Sequence, residues 1–188
     1  MNIKSIIYIT CSMIFVYACK KESVSTEEKP FIDLLNQSSL LIDTTIEVNT
    51  WIYGFKFKAL KSGNITSLGI KLPKEGPYPA TLWDLDKNVV LAEALITSNT
   101  SHQTVFKSIT PIRVLKNTTL GISIVANSFY KMRNKDLSAF AFPIQKGNIN
   151  ILSFNESKSQ ENPSNEFPSK DNATQMSPCV DIIFIAED

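Results

Sequence analysis

From residue 50 onward the chain is apolar at every second position, and that rhythm restricts it to extended strands. In GFKFKAL, Phe55, Phe57 and Ala59 fall on one side while Lys56 and Lys58 fall on the other. Successive strand side chains point to opposite faces, so the stretch reads as a half-buried strand. KSGN follows as a turn, with Gly63 free to take positive φ. Leu68, Ile70 and Leu72 resume the alternation, and the prolines between Pro73 and Pro79 break it. ATLWDLDKNVVLAEALIT reads as a hairpin turning at Asp86-Lys87-Asn88, with Val90, Ala92, Ala94 and Ile96 on one face.

QTVFKSI and PIRVL read as short strands on either side of Pro111, a residue that suits an edge or a strand start. Leu120, Ile122, Ile124 and Ala126 then alternate, and NSFYKMRNKD reads as a loop. Phe140, Phe142 and Ile144 mark one strand and INILSF another. Asn155 to Met176, rich in Ser, Asn, Pro and Lys, reads as a long loop. CVDIIFIAED closes the chain with both faces apolar, as in an interior strand. No segment of the folded part carries a 3.6-residue period. About ten short strands with regular turn signals predict an all-β fold, an antiparallel β-sandwich of the jelly-roll kind. An incomplete barrel is the alternative.

Residues 1–18 read as an export leader. Lys4 is its one charge, and Ser5 to Tyr17 is a mostly apolar run of signal-peptide length. A bilayer-spanning helix needs about 20 apolar residues, more than this run supplies. Val16-Tyr17-Ala18-Cys19 resembles the lipobox of bacterial lipoproteins, which implies lipidation of Cys19 and cleavage before it. The alternative is a soluble secreted protein cut after Ala18. Lys20 stands where an aspartate would resemble an inner-membrane retention signal, which favours the outer membrane of a bacterial envelope. Residues 19–40 then form a lipidated tether, and residues 41–188 the sandwich domain. Phe31 to Leu41 fits either a short helix or an ordered approach to the domain.

Removing 18 residues from 188 leaves 170, carrying 18 of the 19 basic residues against 18 acidic ones. A neutral chain lacks the basic patch that nucleic-acid binding needs, so no nucleic-acid partner is expected. Cys11 lies in the leader and Cys19 is the lipidation site, so Cys179 is left without a disulfide partner.

Segments GFKFKALKSGNITSLGIKL, ATLWDLDKNVVLAEA, HQTVFKSITPIRVLKNTTLGISI and FPSKDNATQMSPCVDIIF occur in that order. Together they resemble the bacterial family called domain of unknown function 4082, over about residues 50 to 186. The landmarks are Gly54 to Phe57, Ile65 to Leu72, Leu82-Trp83-Asp84, Gln103 to Val105, Pro111-Ile112, Asn117 to Leu120 and Val180 to Phe184. The resemblance implies a β-sandwich and a cell-surface setting, often beside carbohydrate-active or adhesive modules, and no established reaction. The chain departs from the family at His102, which replaces a tryptophan, at Leu120, which replaces a tyrosine, and at Pro178-Cys179, which replaces an aromatic pair.

Catalytic chemistry finds little support. His102 is the one histidine, so it would have to serve any Ser-His-Asp or Cys-His arrangement, and it rules out a multi-histidine zinc site. No Gly-x-Ser-x-Gly elbow is present. Asp84, Asp86 and Asn88 have the spacing of a calcium loop but read better as a hairpin turn. Glu75, Asp84, Asp86, Glu93 and Asp136 are the acids open to a glycosidase pair.

Aromatic rings with polar neighbours offer more, since exposed Trp and Tyr faces stack on sugars. Trp51, Tyr53, Tyr78, Trp83 and Tyr130 are the available rings, with Trp83 expected to be structural. Tyr78 in the proline-rich segment, and Tyr130 with Arg133, Asn134 and Asp136, form the candidate sugar site. The expected protein is a non-catalytic, surface-anchored lipoprotein that needs no cofactor or metal. It would be partnered by the membrane through Cys19 and by a glycan. A structural or adhesive module contacting an envelope protein is the second reading, and a hydrolase the third.

Overall fold

The computed structural model describes residues 26–37, 39–159 and 166–187. The leader, Cys19 and the residues following it lie outside them. Among the described residues the chain forms an antiparallel β-sandwich of eleven strands: β1 (Glu27–Glu28), β2 (Leu40–Ala59), β3 (Gly63–Lys71), β4 (Gly76–Asp84), β5 (Val89–Ser98), β6 (Thr104–Val114), β7 (Thr119–Asn134), β8 (Ile144–Lys146), β9 (Ile149–Lys158), β10 (Lys170–Asp171) and β11 (Val180–Ala186). One sheet has the order β1-β11-β3-β6 and the other β10-β9-β2-β7-β4-β5, with β8 beside β9.

The pairing explains the shape. β1 pairs with β11, β2 with β7, β3 with β6 and β4 with β5, all antiparallel. The chain is thus one nested hairpin, four pairs deep. It is rolled shut where β11 also pairs with β3 and β4 with β7. This is jelly-roll connectivity. Strands β8 to β10 lie between the seventh and eighth strands of the roll and extend the larger sheet beyond β2 through β9.

The two-residue rhythm sets the core. Phe55, Phe57, Leu68, Ile70, Leu82, Ile122, Ile124, Phe154, Ile182 and Phe184 are all fully buried between the sheets. Fully burying one such side chain contributes about 1.5–3 kcal/mol. Bulges reset the rhythm locally. Between β4 and β5 the register shifts at Leu82/Trp83, so Ala94 and Ile96 stay buried while Val90 turns outward.

Several segments differ from their sequence reading. The domain begins before residue 41: Glu27–Glu28 join the smaller sheet, and Phe31 and Leu34 are buried around a short 3-10 helix, Ile32–Asn36. Phe31 stacks on Phe55 with ring centroids 4.8 Å apart, so the stretch assigned to the tether supplies core. The proline-rich segment is strand from Gly76, because Pro77 and Pro79 pair only with β5; β7 joins β4 only from Ala80. The two short strands around Pro111 are a single strand, β6, with a register shift opposite Ile65/Ser67.

NSFYKMRNKD is not a loop through Asn134. It continues β7, because the first half of the 20-residue β2 supplies Leu40–Ile46 as its partner. Phe140 and Phe142 lie outside strands, and only Ile144–Lys146 form β8. Of the expected loop from Asn155, β9 runs on to Lys158, β10 returns to pair with Glu156 and Asn155, and Met176 bridges Met132. Phe167 seats this segment on the larger sheet over Gly121, where a Cβ would come within 2.6 Å of its ring.

The chain enters at one end of the sandwich. Glu28 accepts the backbone N–H of Asn148 at 2.7 Å and its side-chain amide at 2.5 Å, and Asn148 O accepts the N–H of Leu60. Ala59, which pairs with Ile149, marks the same end.

Candidate functional site

The predicted sugar site does not assemble. Tyr78 and Tyr130 are each only 7% exposed and belong to the core, so neither presents a ring face. Tyr78 donates its hydroxyl to Lys74 O at 3.0 Å. Arg133 is taken up by Asp43 at 2.5 Å. Asn134 donates its amide to Ser138 O, and Asp136 accepts from the N–H and hydroxyl of Ser138. Arg133 thus makes a cross-strand ion pair to β2, while Asn134 and Asp136 close a turn at the end of β7. The alternation places both tyrosines inward, which their polar neighbours in sequence concealed.

Trp83 is buried and donates its indole N–H to Ser123 Oγ at 2.9 Å, the structural role expected of it. The Asp84–Asn88 stretch is the turn its spacing allowed. Asp84 accepts the Lys87 N–H at 3.0 Å and pairs with its ammonium at 2.8 Å, and Asp86 accepts the Thr119 N–H. These contacts hold the Asp84 and Asp86 carboxyls below the usual carboxylate range, chiefly through the Lys87 ammonium and the Thr119 amide respectively. Leu120 and Cys179 are both core residues.

A different cleft carries the aromatic-and-polar chemistry. Trp51 on β2, Glu156, Ser157 and Lys158 on β9, and Glu166, Ser169 and Lys170 around the start of β10 line about 340 Å³. That volume lies at the small end of ligand sites. Antiparallel register builds it: Trp51 pairs with Lys158, Tyr53 with Glu156, and Glu156 with Lys170. Residues two apart on one strand share a face, so Trp51 sits beside Tyr53, and Glu156 beside Lys158.

The Trp51 ring lies nearly parallel to Tyr53, 13° between planes and 6.1 Å between centroids. Lys158 Nζ stands 5.9 Å from its centroid, a cation–π distance. The indole Nε1 is buried and meets no hydrogen-bond partner among the described residues. Leaving such a donor unsatisfied costs about 1–3 kcal/mol. Glu156 is buried to 6% exposure, accepts the Asn172 amide at 3.0 Å and lies 4.0 Å from Lys170 Nζ. Two carboxylates, two ammonium groups and two hydroxyls thus surround one indole. Sequence reasoning named Trp51 as a ring but missed its partners, because the pairing that joins them spans more than 100 positions.

Neither a scan against protein-family models nor a search of curated proteins finds a match to this chain.

Proposed function

We propose that this chain is a surface-anchored lipoprotein whose sandwich is a non-catalytic module that binds carbohydrate in the Trp51 cleft. The Val16–Cys19 lipobox supports the anchor, and the absence of aspartate at position 20 supports an outer-membrane destination. The observation that carries the binding reading is the indole of Trp51, which lines a polar cleft and whose buried N–H has no partner among the described residues. A pyranose ring stacks on an indole through its C–H face, while its hydroxyls reach carboxylate and ammonium groups at the rim. Glu156, held by Asn172, serves as a fixed acceptor for such hydroxyls.

Glycan-array binding tests the reading. Trp51→Ala abolishes binding and Trp51→Phe retains part of it, while urea unfolding confirms that both variants fold. A flat array, or release of reducing ends from a bound polysaccharide, refutes it. Cys19→Ala moves the protein out of the membrane fraction, and retention there refutes the anchor.

A second reading rests on a separate observation. Ile46 and Val48, at a break in the β2–β7 pairing, are 70% and 99% exposed. They suit contact with another envelope protein. Co-purification of that protein, lost on Val48→Asp, would favour this reading.

A further inference from the structure

We infer that the depression between the 3-10 helix and the start of β6 is a second binding site, one that takes a small aliphatic carboxylate. It has a volume of about 250 Å³ and is lined by Leu35, Ile42, Lys71, His102 and Tyr130. These residues come from five parts of the chain: the 3-10 helix, β2, the end of β3, the turn before β6, and β7.

His102 is held there against its backbone preference. Its φ of +67° is left-handed, which for a residue other than glycine costs about 1–2 kcal/mol. Two contacts hold it. Its N–H donates to Leu72 O at 2.9 Å, and its Nδ1 lies 2.5 Å from the Tyr130 hydroxyl. The second contact fixes the ring and leaves Nε2 without a partner among the described residues.

Tyr130 is itself fixed from below, because its N–H donates to the buried Cys179 sulfur at 3.2 Å. Lys71 makes no ion pair among the described residues. Asp33 shares a neighbouring depression with it and still stands beyond salt-bridge reach. Among the described residues, no acid lines the His102 depression.

The chemistry therefore selects an anion. The Lys71 ammonium supplies charge; with the Tyr130 hydroxyl donating to Nδ1, the ring proton sits on Nε2, which supplies a directed hydrogen bond, strongest to an ionised acceptor. Leu35 and Ile42, the latter 40% exposed, form an apolar wall beside them. A carboxylate meets the Lys71 ammonium and the His102 Nε2–H while a few methylenes cover the wall, with Tyr130 positioning the imidazole. The small volume limits the body to a short chain.

His102 is the chain's one histidine, so its imidazole NMR signals need no assignment by elimination. The full chain is titrated with sodium butyrate, with sodium chloride of equal ionic strength and with inorganic phosphate. Butyrate is expected to shift the His102 ring signals saturably, and more tightly than phosphate. Lys71→Met weakens butyrate at least about tenfold, equivalent to 1.4 kcal/mol, while Lys71→Arg keeps binding. Tyr130→Phe, which retains the packed ring, weakens it less. A linear shift matched by chloride, phosphate binding as well as butyrate, or an unchanged Lys71→Met titration overturns the proposal.

Discussion

The carboxylate of Asp181 accepts the backbone N–H of Ile32 at 2.9 Å, across 149 positions of sequence. Its other oxygen accepts from Phe31 at 3.2 Å and from Ile182 at 2.8 Å. One fully buried acid on β11 thereby satisfies the free amides at the start of the 3-10 helix and pins the incoming chain to the core.

That acid sets a pH dependence. Burial pushes its carboxyl from 3.8 up to about 7, against the opposing pull of the three amides. The folded chain then keeps a proton that the unfolded chain releases between those values. The stability this group contributes is full below the unfolded value and is lost as pH rises towards about 7. Urea unfolding across this range should show the wild type losing on the order of 4 kcal/mol relative to Asp181→Asn. Parallel profiles for the two proteins would refute the linkage.

Residues 26–40 belong to the domain. Phe31 is fully buried and packs on both Phe55 and Phe57. Phe31→Ala should cost about 3–5 kcal/mol, the range for an aromatic removed from a core. Starting the chain at residue 41 should cost more, because Leu34 and the Asp181 contacts go with it, whereas starting at residue 26 should leave the unfolding midpoint unchanged. Equal midpoints for the two truncations would return this stretch to the tether.

Cys179 should behave as an inert thiol. It is fully buried, and burial pushes it up to about 12 from 9.0, with the Tyr130 amide a weaker counter-influence. The thiolate is the reactive form. In a chain with Cys11 and Cys19 replaced by serine, labelling by a thiol reagent should therefore follow the unfolding rate. Fast labelling under native conditions would show that the β7–β11 side opens locally.

The strands were legible in the sequence because each is a local two-residue pattern. The face of Phe55, Phe57 and Ala59 and the turn at Asp86–Asn88 follow from neighbours alone. What could not be read depends on register. The β7 extension through Asn134 exists because Leu40–Ile46 lie opposite it, and those residues alternate too weakly to signal a strand. Tyr130 reads as part of a loop for the same reason, and the polar run after it suggests exposure. The Trp51 cleft requires Trp51 to meet Lys158, and the capping of Phe31 requires Asp181. In each case one partner is an ordinary polar residue whose importance appears only on folding.

The clamp of Glu28 by Asn148 fixes where the polypeptide leaves the roll. Trp51 lies eight residues along β2 from Ala59 at that exit, roughly 26 Å at strand rise. With Cys19 acylated, the exit pole would stand over the lipid headgroups and the indole would crown the opposite pole. An incoming polysaccharide would then meet the module from the aqueous side, without having to slip between protein and bilayer.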